Sequence, residues 1–147
     1  WTTLLPFGQK SREWNPKSLW DWINYIVIAF VSSASCAVVI SIVVDALGIV
    51  PYAVLTKIIT LNDTLGSLIG ALLLSSVFGV IKNQLGLFWV DLMEEEEIGR
   101  PIAGSLGAWL VTIASLVGLL GGIFTSLPET TMGWIGALVI LFASLLL

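Results

Sequence analysis

The chain has 147 residues, 57% of them hydrophobic and only 11% charged, with a net charge of −4 and a mean hydropathy of +1.01. A soluble domain of this size carries roughly a quarter charged residues, and so few charges cannot cover the surface of a small globule. The composition therefore excludes an ordinary soluble enzyme and a disordered chain, and makes lipid the expected solvent.

The first 21 residues form a polar N-terminal segment with Lys10, Arg12 and Lys17. Asn15-Pro16-Lys17-Ser18 reads as a turn into a helix, with Asn15 or Ser18 as its cap. Trp14, Trp20, Trp22 and Tyr25 cluster where the chain would enter a bilayer, the place of an aromatic interface anchor. The sequence starts at Trp1 rather than Met, so a processed product or a fragment is expected.

Charges punctuate the rest. Residues 22–44, 64–81, 101–128 and 130–147 carry none, and a spanning helix needs about 20 apolar residues. Four transmembrane helices are expected, near 22–48, 63–82, 100–125 and 130–147. Residues 22–147 would thus be a single transmembrane domain. The expected fold class is all-α, a polytopic integral membrane protein with short connections. Helices are the default because an open strand edge cannot survive in hydrocarbon.

The boundaries have their own signals. Gly48 and Pro51 should end the first helix. Residues 51–61 are apolar but too short to cross, and read as a short interfacial helix before the second span. Asn62-Asp63-Thr64 reads as the cap of that span. Residues 83–93, anchored by Trp89, are either a second interfacial piece or the continuation of a long second helix past Lys82. Pro101 suits the first turn of the third span. Ser126-Leu127-Pro128-Glu129-Thr130 reads as a tight reversal that makes the last two spans an antiparallel hairpin.

Lys and Arg set the orientation. Lys10, Arg12, Lys17, Lys82 and Arg100 fall on one side and only Lys57 on the other. Both termini are expected on the cytoplasmic side, or on the stromal or matrix side if the membrane is organellar.

Candidate functional residues fall into three groups. Gly66 and Gly70, and Gly118 and Gly122, are GxxxG pairs. Ser33/Ala37, Gly104/Ala108 and Gly133/Ala137 are related small-residue pairs. Such spacing lets helix backbones approach closely, either within the bundle or against a partner. Asp45, Lys57 and Asp63 form a candidate polar or ion site at one membrane face, with Asp45 and Lys57 as a candidate ion pair. Glu94, Glu95, Glu96 and Glu97 form an acidic run, which is either a solvated face or a docking patch for a basic partner. Ser32, Ser33, Ser35, Cys36 and Ser41 place hydroxyls and a thiol along the first span.

Several chemistries lack their residues. There is no histidine and one cysteine, hence no histidine-ligated metal, no Ser-His-Asp triad and no internal disulfide. No phosphate-binding loop, nucleophile elbow or zinc-protease motif is present. Metal and catalytic residues are therefore expected to be absent, and the chain is not expected to be an enzyme. Six scattered basic residues give no nucleic-acid footprint. No cofactor is evident, although a bound lipid or a pigment held without histidine is compatible with the composition.

Leu61-Asn62-Asp63-Thr64-Leu65-Gly66-Ser67, followed by Ala71-Leu72-Leu73, Gly79 and Asn83, resembles a stretch of the membrane substrate-binding components of vitamin-uptake transporters. The resemblance covers roughly a sixth of the chain. It implies a six-span bundle against the four spans counted here, and no binding residue is carried over from it.

The expectation is a small non-catalytic accessory or assembly subunit of a larger membrane complex. Its partners would be membrane lipids and other membrane subunits. The alternative is a small-solute transporter, a channel or a transporter subunit.

Overall fold

The computed structural model describes residues 19–80 and 104–146, and every element among them is helical. Helix α1 spans Leu19–Ala46, α2 Tyr52–Val80, α3 Gly104–Phe124 and α4 Glu129–Ser144. Within α1, α2 and α3 lie stretches long and apolar enough to cross a membrane, Trp22–Ala46, Tyr52–Val77 and Leu106–Phe124. Helix α4 is apolar but has 16 residues. That is about 24 Å of helix against roughly 30 Å of hydrocarbon, so it is shorter than the full span expected over 130–147.

The α1–α2 connection is set by local backbone chemistry. Gly48 takes φ +71°, the left-handed conformation that favours glycine. The Gly48 N–H donates to the Asp45 carbonyl at 2.8 Å and the Ile49 N–H to the Val44 carbonyl at 3.2 Å. This is a Schellman ending, and it closes α1 at the glycine that the sequence marks. Pro51 follows, and its carbonyl accepts the N–H groups of Val54 and Leu55.

Helix α2 then begins at Tyr52, not near Asp63. The expected interfacial helix over 51–61 is instead the first part of α2. The reason is a buried stripe at helical spacing: Tyr52, Thr56 and Thr60 are each at most 5% exposed. Burying that face holds the helix across the Asn62-Asp63 pair, which therefore caps nothing.

Helices α1 and α2 pair antiparallel. The Tyr25 hydroxyl near the start of α1 donates to the Ser67 carbonyl of α2 at 3.0 Å, while Asp45 at the far end of α1 meets Tyr52. Helices α3 and α4 form the expected antiparallel hairpin, with residues 125–128 between them. Helix α1 also packs on α3 and α4, whereas α2 packs mainly on α1.

The core sits between α1, α3, α4 and the first turn of α2. Val38, Ile42, Tyr52, Ala114, Ala137 and Ile140 form its central cluster. Small residues make the approach close. A side chain at Gly136 would meet the Ala114 carbonyl at 2.9 Å, and one at Gly133 would meet the Tyr52 ring at 2.5 Å. Large apolar side chains such as Ile58, Leu65, Ile69, Ile113 and Leu138 face outward. That inversion, small residues inside and large ones outside, suits a bundle surrounded by hydrocarbon. At the start of α1, the Trp22 and Tyr25 rings meet edge to face, with centroids 6.4 Å apart.

Candidate functional site

The polar candidates do not form one site. Asp45 lies at the last turn of α1, and its Oδ1 accepts the backbone N–H of Tyr52 at 3.0 Å. It thus satisfies a free donor at the start of α2, the work of an N-cap done from a neighbouring helix. Lys57 does not pair with Asp45. Its Nζ lies 3.5 Å from Oε1 of Glu129, at the first residue of α4. Glu129 also complements the positive end of the α4 dipole. The pair is about half exposed on the lysine side and a third on the glutamate side, which limits it to about 1 kcal/mol or less.

Asp63 is placed elsewhere. It stands eleven residues beyond Tyr52, about 16 Å along the α2 axis, near the middle of the apolar stretch Tyr52–Val77. Its carboxylate has no hydrogen bond or ion pair among the described residues. It lines a groove between α1 and α2 with a volume of about 580 Å³. Ser32, Ser33 and Cys36 border the groove from α1, and Asn62, Gly66 and Ser67 from α2. Antiparallel pairing brings the hydroxyl row of α1 opposite the Asn-Asp pair of α2. The sequence shows both rows but not that they face each other.

The two GxxxG pairs have different surroundings. Gly118 is buried: a side chain there would meet Val38 at 2.9 Å, and its carbonyl accepts the Tyr52 hydroxyl at 2.7 Å. A side chain at Gly122 would collide with Glu129. This pair is used inside the chain. Gly66 and Gly70 have open space where a side chain would stand. The wider surface agrees, since only 11% of an 18-residue apolar segment of α2 is buried against 44% of the corresponding segments of α1 and α3. Of the related pairs, Ser33/Ala37 and Gly133/Ala137 are buried.

A second groove, of about 410 Å³, runs between α1, α2 and α3 and is lined almost wholly by apolar surface, including Phe30, Leu61, Leu65, Leu119 and Leu120. Lys57 stands at its edge. The acidic run Glu94–Glu97 and the candidate interfacial piece 83–93 lie outside the described residues, as does Gly79 to the extent of its side-chain surroundings. No group of three His, Cys, Asp or Glu residues gathers at metal-binding distance among the described residues.

Ser41, named above among the hydroxyls of the first span, is buried, and so is Thr60 of α2, which the sequence does not single out. The Ser41 and Thr60 side-chain oxygens are enclosed without a hydrogen-bond partner among the described residues. Ser115, Thr112 and Thr56 solve the same problem by donating to the carbonyl four residues back, at 2.6–2.7 Å.

No family model, curated protein or solved structure matches this chain. Its class rests on the fold alone: every element among the described residues is helical, and three of the helices are compatible with an integral membrane location.

Proposed function

We propose that the protein is a small non-catalytic subunit of a larger membrane complex, and that it docks through the outer face of α2. One observation carries this reading. Among the described residues, the Gly66–Gly70 pair lies on the least covered helix, with open space above both residues. In hydrocarbon the gain from association comes from packing and interhelical hydrogen bonds. A small-residue face lets a second backbone come close enough to collect both. The pair in α3 is already engaged within the chain, so docking falls to α2.

Substitution tests the reading. Gly66→Leu and Gly70→Leu fill open space and leave the internal packing alone, so they should release the chain from its complex without unfolding it. Intact assembly in both variants, read as unchanged particle mass, contradicts docking by this face.

The polar groove favours one other reading, a small-solute carrier or channel in which Asp63 contacts the solute. A mid-helix carboxylate is the kind of residue that marks an ion or substrate pathway. On that reading Asp63→Asn abolishes flux in proteoliposomes. Asp45 is not the residue to change, because its carboxylate caps α2.

A further inference from the structure

We propose that the groove between α1 and α2 seats a partner's transmembrane helix that brings a lysine or arginine side chain to Asp63. The inference rests on the docking role of α2 and adds the chemistry of the partner. Three observations carry it. First, Asp63 sits near the centre of an apolar stretch, half-buried, with no hydrogen bond or ion pair among the described residues. A carboxylate at that depth is costly unless paired. Second, the described helices contain a single cation, Lys57, and it faces Glu129 instead. Third, the groove is open, and Gly66, which leaves room for a backbone, lines it. Among the described residues nothing neutralises Asp63, and the open face beside it lets a partner helix bring that charge.

A second copy of this chain does not fit the same seat. A two-fold pairing is isologous, so it would set one Asp63 against the other. Like carboxylates brought together disfavour ionisation of both. The remaining lining fits a donor from a foreign helix. Asn62, Ser32 and Ser33 line the same groove as Asp63 and carry neutral oxygens, which suits a cationic side chain with several N–H donors.

Cys36 makes the proposal testable, because it is the single cysteine of the chain, is exposed and borders the groove. The full chain is reconstituted in phosphatidylcholine vesicles with a synthetic polyleucine helix. The helix carries one central residue, Lys, Leu or Glu, and one nearby cysteine, and oxidative cross-linking to Cys36 is the readout. The Lys helix should cross-link at least several-fold more than the Leu helix and more again than the Glu helix. Asp63→Asn should erase the preference and Asp63→Glu should restore it, with the thermal melt of each variant confirming a folded chain. Equal yields with Lys and Leu helices, both lowered by Gly66→Leu, would overturn the charge pairing while leaving the docking face standing. No cross-link with any helix would overturn the seat itself, and so would a dominant Cys36–Cys36 dimer.

Discussion

The Tyr52 hydroxyl donates to the Gly118 carbonyl at 2.7 Å, tying the first turn of α2 to α3 across the centre of the bundle. The ring lies against Gly133 of α4, and the residue is 2% exposed. One side chain thus joins three helices. Tyr52→Phe removes only this hydrogen bond, while the Gly118 carbonyl keeps its place in the α3 backbone ladder, a loss of about 1 kcal/mol. Tyr52→Ala also opens a cavity and should cost about 3–5 kcal/mol. Thermal unfolding in detergent, followed by circular dichroism, should rank the three chains in that order.

The glycines should divide by surroundings, not by motif. Gly133→Ala forces a methyl into the Tyr52 ring and should destabilise the chain by about 1–3 kcal/mol. Gly66→Ala meets open space and replaces the poorer helix former, so it should leave the melt unchanged or raise it by up to about 1 kcal/mol. Equal losses at both positions would mean that α2 is covered within the chain.

Asp45 should behave as a cap. Asp45→Ala removes the acceptor for the Tyr52 N–H and should cost about 1 kcal/mol. Asp45→Asn keeps an oxygen acceptor and should cost less. By contrast, Lys57→Gln or Glu129→Gln should each change stability by less than about 1 kcal/mol. That effect should shrink as salt is raised, because the pair is partly exposed.

The buried Ser41 hydroxyl has no partner among the described residues, and the side chain is fully enclosed. Ser41→Ala removes a group whose burial is uncompensated. It should leave the protein as stable or raise stability by about 1 kcal/mol, measured in the same melts.

Helix content, the α3–α4 reversal and the stop at Gly48 were all legible, because each rests on local signals: uncharged stretches, a proline, and a glycine able to take a positive φ. The start of α2 was not. Asn62-Asp63 carries a helix-cap signature, and the gap in charge begins just after it. Against that stands the Tyr52, Thr56, Thr60 stripe, visible at a spacing of four but meaningful only once its face is known to be buried. The same error hid the depth of Asp63, since a cap lies at a helix end and this residue lies near the middle of one. Lys57 and Glu129 are far apart in sequence, and only the packing of α4 beside α2 brings them together. The two GxxxG pairs are indistinguishable as letters. Their difference is tertiary: α1 and α4 cover one, and nothing among the described residues covers the other.

The central claim, that the outer face of α2 belongs to an interface, is tested most directly by the native mass of the chain extracted in mild detergent, with its companions identified. The expected result is a particle much larger than one 15.8 kDa chain, containing other membrane subunits and lost in Gly66→Leu. A monomer, or a particle of this chain alone that Gly66→Leu leaves intact, would contradict it.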